Sequence, residues 1–126
     1  MAHMSMTEAE WQVMERLWAQ APRTGRELCE ELRAATGWSR STTLTLLRRL
    51  EEKGAAAAQS EGGVKQYRPC IPREEAAVQE TEHLLERVYQ GSVSMMVSTL
   101  TRKQKLTTEE IDELYEILRR AEEGEK

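Results

Sequence analysis

Ser39 to Gly54 reads SRSTTLTLLRRLEEKG, and this segment has the features of one short helix with defined ends. Ser39 is a typical N-cap residue and Gly54 is a typical C-cap residue. Between them, Leu44, Leu47 and Leu50 recur every three residues and form an apolar stripe. The first half of the segment contains no acidic side chain and is rich in hydroxyls, and arginines stand at positions 40, 48 and 49. We therefore predict an amphipathic helix with a hydroxyl-rich, basic outer surface.

Two further short helices are predicted ahead of this segment, because each begins with a capping box. Thr7 and Glu10 have the required spacing, and so do Thr24 and Glu27. Apolar residues follow both boxes at helical spacing, namely Trp11, Met14, Leu17 and Trp18 after the first, and Leu28 and Leu32 after the second. Three short helices with tight connections predict a helix-turn-helix arrangement.

Residues 55–69 favour a β-hairpin after the third helix. Residues 60–63 read Ser-Glu-Gly-Gly, a turn pattern, and strand-forming side chains follow at Val64 and Tyr67. Residues 55–58 are all alanine, a poor strand former, so the first strand is the weaker prediction. A hairpin in this position is the wing of a winged helix-turn-helix. The predicted fold class is therefore mainly α, with a three-helix bundle, a small β-hairpin wing and further helices towards the C-terminus.

The sequence becomes helical again beyond residue 71 and carries three apolar stripes. Three helices of this size cannot bury these stripes on one another alone, so the stripes require a partner. A second copy of the chain is the simplest partner, which predicts a two-fold homodimer. The predicted dimerisation residues are Val88, Tyr89, Met96, Val97, Leu100, Ile111, Leu114, Ile117 and Leu118.

The composition limits what kind of protein this is. The 126 residues suffice for one small domain with an appended helical region. No stretch approaches the roughly 18 apolar residues of a membrane helix and none resembles a signal peptide, so we expect a cytoplasmic protein that does not bind membranes. Cys29 and Cys70 are far apart in the chain, which argues against a disulfide framework or a Cys-x-x-Cys site. No catalytic grouping is present either, and we expect no enzyme activity, metal or cofactor.

The net charge of −4 is unevenly distributed along the chain. Residues 7–70 carry ten Lys/Arg and nine Asp/Glu, whereas residues 71–126 carry eight and thirteen. Nucleic-acid binding requires a basic face rather than a basic average. The first part of the chain is therefore a candidate nucleic-acid binder, and the second part is not.

The outer surface of the third predicted helix carries side chains suited to double-stranded DNA. Short hydroxyls can approach phosphates and base edges closely, and arginine can bind guanine or a phosphate through two hydrogen bonds. We therefore predict a winged-helix DNA-binding domain at residues 6–70 and a helical dimerisation domain at residues 71–126, and we interpret residues 1–5 as a cloning remnant. The candidate DNA-binding residues are Ser39, Arg40, Ser41, Thr42, Thr45, Arg48 and Arg49, with Lys65 and Arg68 in the hairpin.

Two other interpretations of this surface stay open on the residues alone. One is a solvated helix face that happens to be rich in hydroxyls. The other is a winged-helix module that binds a protein partner, which the acidic net charge and the alanine-rich hairpin favour. Trp11, Trp18 and Trp38 are interpreted as packing residues, and His83 as a solvated side chain among glutamates.

Several short motifs occur in an order that resembles the penicillinase and methicillin-resistance repressors, a family of winged-helix transcriptional regulators. The resemblance covers residues 6–120 and implies a homodimeric repressor whose winged helix binds a palindromic operator. It also implies that the DNA contacts of the family fall on Ser41, Thr42, Thr45 and Arg49. The motifs are Trp38-Ser39, Lys53-Gly54-Ala55, Tyr67-x-Pro69, Tyr89-x-Gly91 and Leu106-x-x-Glu109-Glu110-Ile111.

The sequence departs from the family pattern in ways that bear on function. Ser41 stands where the family often has lysine, and the hairpin is less basic, which leaves Lys65 and Arg68 as its candidate contacts. Members that respond to β-lactams are cleaved at an Asn–Phe bond. That bond aligns here with Thr99–Leu100, so these residues are the candidate cleavage site and a signalling protease is a candidate partner. No cysteine follows Cys70, so the copper-binding cluster of other members is not expected.

Overall fold

The computed structural model describes residues 5–103 and 105–124. The cloning remnant predicted at residues 1–5 falls, apart from Ser5, outside the described residues. The elements follow the chain in the order α1 (Glu8–Ala19), β1 (Arg23–Thr24), α2 (Gly25–Thr36), α3 (Arg40–Lys53), β2 (Ala56–Glu61), β3 (Val64–Pro69), α4 (Arg73–Tyr89), α5 (Val93–Lys103) and α6 (Thr108–Gly124).

The first three helices begin at the predicted N-caps, and α3 also ends at its predicted C-cap, Gly54. The Glu10 amide donates to Thr7 Oγ1 at 3.1 Å, and the Thr7 amide donates to Glu10 Oε1 at 2.8 Å. Thr24 and Glu27 form the same reciprocal pair at the start of α2. The glycines that follow α2 and α3 have φ angles of 82° and 81°, a left-handed conformation that other residues rarely adopt, so both helices stop there.

The predicted hairpin is confirmed and belongs to a three-stranded antiparallel sheet with the order β1-β3-β2. β2 forms despite its alanines, because Ala55 and Ala56 are buried against the core and Ala58 is paired with Tyr67 in β3. Tertiary packing here outweighs the weak strand propensity of alanine. The short strand β1 was not predicted, since two residues carry no periodic pattern. It pairs Thr24 with Gln66 and so attaches the start of α2 to the hairpin.

The core around α3 lies between α1, α2 and the sheet. Trp11 and Trp18 pack edge to face with ring centroids 5.0 Å apart, and Trp18 Nε1 donates to the Ile71 carbonyl at 2.8 Å. Trp38 is partly buried against the same cluster, so the predicted packing role of all three tryptophans is confirmed. Each buried aliphatic side chain contributes about 1.5–3 kcal/mol. The large apolar side chains of this core that are fully buried are Val13, Met14, Leu17, Leu28, Leu32, Leu47 and Leu50.

The buried face of α3 is shifted from the predicted leucine stripe. Leu47 and Leu50 are fully buried as expected, but Leu44 is only half-buried. Thr43 and Leu46 are buried in addition, because a helical face recurs at three and four residues rather than at every third. Despite this shift, the side chains predicted for the outer surface of α3 are exposed or half-buried.

The chain divides into two units, and the boundary lies inside α4 between Leu84 and Leu85. The first unit contains α1 to α3 and the sheet, while the second contains α5 and α6. His83 is half-buried rather than solvated. The described residues include no group of three or more His, Cys, Asp or Glu side chains placed to hold a metal. Within the described part of the chain, no helix combines the length and the apolar character needed to span a membrane.

Candidate nucleic-acid interface

The outer face of α3 carries most of the predicted DNA-binding side chains. Spacings of three and four residues place Ser41, Thr42, Thr45, Arg48 and Arg49 on this face. All except Thr45 are exposed, and Thr45 is half-buried. The core fixes the opposite side of α3, so these side chains project from a rigid element.

The hydroxyls at the start of α3 are ordered by one another. Ser39 Oγ accepts from the Thr42 amide at 3.2 Å, which makes Ser39 the N-cap of α3. The same oxygen lies 3.1 Å from the Ser41 hydroxyl oxygen and 3.0 Å from that of Thr42. Ser39 is thus engaged in capping, while Ser41 and Thr42 form a short, ordered surface of hydrogen-bonding groups.

The arginines of α3 are available to an external anion. Arg40, Arg48 and Arg49 are exposed, and none of them forms an ion pair with another residue that the structure describes. An exposed guanidinium without a carboxylate partner can bind phosphate or guanine with two parallel hydrogen bonds. The face therefore combines neutral hydroxyls near its start with the positive charge of Arg48 and Arg49 further along, while Arg40 lies beside it in the first turn of α3.

The two basic residues of the hairpin are already engaged within the protein. Lys65 Nζ lies 3.4 Å from Glu51 Oε1 and 5.3 Å from the centroid of the Tyr67 ring. The Tyr67 phenol and, secondarily, the Glu51 carboxylate raise the pKa of Lys65 above its ordinary value. Arg68 Nη1 donates to Gln59 Oε1 at 2.9 Å across the hairpin. Lys65 thus links the hairpin to the C-terminal half of α3.

A buried ion pair, which the sequence analysis did not identify, fixes the C-terminal end of α3. Lys53 Nζ lies 2.5 Å from Glu10 Oε1 and 2.7 Å from the Ser5 carbonyl oxygen. Only 1% of the Glu10 side chain is exposed. Burial by itself raises the pKa of Glu10, but hydrogen bonds from Lys53 and Thr7 outweigh it and lower the pKa below its ordinary value. Nothing in the local sequence relates Lys53 to Glu10, which is a capping residue of another helix.

A second ion-pair network holds α2 in place. Glu31 accepts a hydrogen bond from Arg16 Nη1 of α1 at 2.9 Å and another from Arg23 of β1, which is nearly buried. Hydrogen bonds from Arg23 and Arg16 lower the pKa of Glu31. Three elements of the first unit therefore meet at one carboxylate, and α2 is attached to both of its neighbours.

The predicted dimerisation residues are largely accessible in the second unit. No described residue of α5 or α6 is buried. Four of the predicted residues line a groove of about 270 Å³ between these two helices, namely Val97, Leu100, Leu114 and Ile117. Among the others, Val88, Ile111 and Leu118 are exposed, whereas Tyr89 and Met96 are half-buried.

The candidate cleavage site lies inside α5. Thr99 Oγ1 donates to the Met95 carbonyl at 3.0 Å, and both Thr99 and Leu100 have helical backbone. Half of the Leu100 side chain is exposed. A protease that requires an extended substrate would reach this bond only after local unfolding of α5.

Comparison with known proteins identifies the family. The sequence pattern of the penicillinase repressor family matches residues 6–120. The chain belongs to this family. It is 34% identical to the penicillinase repressor of Bacillus licheniformis, over 90% of this chain and 88% of that protein. It is 27% identical to the methicillin resistance regulatory protein MecI of Staphylococcus aureus (strain N315), over 90% of this chain and 92% of that protein.

Two solved structures resemble part of this penicillinase repressor family member. The solution structure of the DNA-binding domain of the repressor BlaI has a TM-score of 0.54 and 32% identity, and the match covers 59% of this chain and 90% of that one. The solution structure of the monomeric form of Bacillus licheniformis BlaI in complex with the blaP half-operator has a TM-score of 0.52 and 34% identity. This match covers 56% of this chain and 87% of that one. The winged-helix fold class is confirmed by these neighbours. The family consists of repressors, so the expectation that the chain is not an enzyme is confirmed as well.

Proposed function

We propose that this chain is a homodimeric transcriptional repressor that places α3 in the major groove of each half of a palindromic operator. The observation that carries the proposal is the outer face of α3, where hydroxyls project together with arginines that have no ion-pair partner among the described residues. The helix that carries them is fixed at both ends. The complex of a relative with a half-operator supports the same use of the winged helix. Since the relatives are bacterial repressors and bacterial DNA lies in the cytoplasm, we expect the protein to act there.

The residues of this face would have different roles. Ser41, Thr42 and Thr45 have short side chains that can reach base edges, and a threonine methyl can contact thymine. Arg49 and Arg48 lie further along α3, where a guanidinium can bind a phosphate or a guanine. Lys65 and Arg68 would contribute less, because both already have partners in the protein and lie on the hairpin, which would approach the DNA backbone beside the groove.

The second unit would hold two copies together. The exposed apolar side chains around the groove between α5 and α6 support a dimer interface, since monomeric proteins rarely expose large contiguous apolar patches. Residues 6–70 would then bind DNA and residues 71–126 would set the spacing of the half-sites. Cleavage at Thr99–Leu100 by a signalling protease would remove part of this interface and release the operator.

Binding to DNA at two salt concentrations tests the proposed function. The purified protein is titrated with promoter fragments from its own genomic neighbourhood and with random duplex of the same length. We expect one fragment with a palindrome to be retained at physiological salt while random DNA is lost, because phosphate contacts alone weaken steeply with salt. Equal weak binding to all fragments, abolished by salt, would contradict sequence recognition. Binding to no DNA at either salt would favour a protein partner.

A further inference from the structure

A small depression beside the start of α3 is lined mostly by arginines. It has a volume of about 140 Å³ and lies between the outer surface of α2 and the first turn of α3. Its lining consists of three arginines, one glutamate and one buried cysteine. The lining residues are Arg26, Cys29, Glu30, Arg33 and Arg40.

The charge of this arginine cluster is not neutralised by the described part of the protein. Arg26 Nε lies 3.1 Å from Glu30 Oε1, but both side chains are largely exposed, and such pairs contribute little. Arg33 and Arg40 are exposed and form no ion pair with any described residue. One carboxylate against three guanidinium groups leaves an excess of two positive charges around the depression.

The position of the arginine cluster follows from helix geometry. Arg26, Glu30 and Arg33 recur at four and three residues and share one face of α2. Cys29 on the same face is buried, and its Sγ lies 3.9 Å from the Arg40 carbonyl oxygen, so this face of α2 contacts the first turn of α3. The cluster therefore flanks the hydroxyls at the start of α3, outside the face proposed to reach the bases.

We propose that the arginine cluster binds a phosphodiester group of the DNA backbone next to each half-site, with Arg33 and Arg26 as contacts beyond those on α3. This inference rests on the proposed function. If the start of α3 enters a major groove, the adjoining face of α2 comes to the edge of that groove, where the phosphates lie. Guanidinium groups match the geometry of phosphate oxygens, and contacts of this kind fix the register of a protein on DNA without reading its sequence.

Neutralising the arginines tests this inference. Arg33→Gln and Arg26→Gln are compared with the wild type and with Arg102→Gln, which removes an exposed arginine from α5. One lost phosphate contact lowers the slope of log affinity against log salt by about 0.9, so two copies on an operator lower it by about 1.8. Between about 50 and 200 mM salt, the wild type should therefore lose about 12-fold more affinity than Arg33→Gln does. Arg102→Gln should keep the wild-type slope, and Arg33→Lys should restore most of it.

A chemical change in the DNA identifies the phosphate. Each backbone phosphate of the operator is replaced in turn by a neutral methylphosphonate. At one position in each half-site, the replacement should weaken Arg33→Gln less than it weakens the wild type, because Arg33→Gln has already lost one of the two proposed arginine contacts to that phosphate. The inference is overturned if the wild type prefers the operator, both glutamine variants keep the wild-type salt slope, and no methylphosphonate position distinguishes Arg33→Gln from the wild type. If the wild type itself shows no preference for the operator over random DNA, the proposed function is refuted instead.

Competition with inorganic phosphate at constant ionic strength gives an independent test. If phosphate displaces DNA from the wild type and from Arg33→Gln equally, the cluster has no selective phosphate site and the inference fails.

Discussion

The ion pair between Glu10 and Lys53 should be a main determinant of how rigidly α3 is held. Lys53→Met keeps the apolar stem of the side chain but removes the ammonium group, leaving the Glu10 carboxylate buried without its cation. Breaking a buried pair in this way costs about 3–5 kcal/mol. Because 34% of the Lys53 side chain is exposed, solvent screens the pair, and we expect about 2–3 kcal/mol for Lys53→Met.

Urea denaturation followed by tryptophan fluorescence measures this loss, since the three tryptophans all lie in the first unit. With a slope of about 1–1.5 kcal/mol per molar urea, the midpoint should fall by about 2 M. Glu10→Gln combined with Lys53→Met provides the control, because no buried charge is then left unpaired. We expect the double variant to be more stable than the sum of the single effects by about 1–2 kcal/mol. Strict additivity would refute the assigned interaction.

The dependence on pH gives a second test of the same pair. Because the folded pKa of Glu10 is lowered, its contribution is fully present above the ordinary value of 4.5 and is lost as the pH falls through the folded pKa. The penalty of Lys53→Met should therefore be large at pH 7 and should shrink as the pH falls, because the unpaired buried carboxyl of the variant takes up a proton more readily than the paired one. In a Glu10→Gln background, the effect of removing Lys53 should not change over this range.

Three further predictions concern DNA binding, assembly and the core. Arg49→Ala should weaken operator binding and lower the slope of log affinity against log salt by about 1.8 for two copies. Titration of operator DNA at several salt concentrations measures this, and an unchanged slope would show that Arg49 does not contact a phosphate. Leu114→Asp places a charge in the apolar groove of the second unit and should give monomers in sedimentation, whereas a persistent dimer would place the interface elsewhere. Thr43 is fully buried, and its hydroxyl has no hydrogen-bond partner among the described residues. Thr43→Val should therefore stabilise the protein against urea by about 1 kcal/mol, with operator affinity unchanged, and destabilisation would indicate a bound partner for the hydroxyl.

The helices of this protein could be predicted because their ends are determined locally. The reciprocal bonds of Thr7 with Glu10 span three residues, and the glycine at the end of α3 needs only its own backbone freedom. The outer face of α3 followed directly, since helical spacing determines which side chains share a face. The alanine strand β2 was predicted less securely, because its formation depends on burial against residues distant in sequence.

What sequence reasoning missed depends on contacts between distant segments. Glu10 is recognisable as a capping residue, but its partner Lys53 belongs to another helix and carries no pattern that links the two. Likewise, Arg33 occurs as an ordinary charged residue of α2, and only the tertiary structure brings it beside Arg40. Charge clusters of this kind become visible only when the packing of the helices is known.

Selection of binding sites from a random duplex library shows whether the outer face of α3 reads the operator sequence. The protein, Thr45→Ala and the control Thr81→Ala, which truncates an exposed threonine of α4, are each used to enrich DNA in parallel. We expect the wild type and Thr81→Ala to enrich the same palindrome, and Thr45→Ala to relax the base preference at one symmetric position in each half-site. Absence of any enriched sequence, or an identical preference in all three proteins, would contradict the claim that the outer face of α3 reads the operator through Thr45.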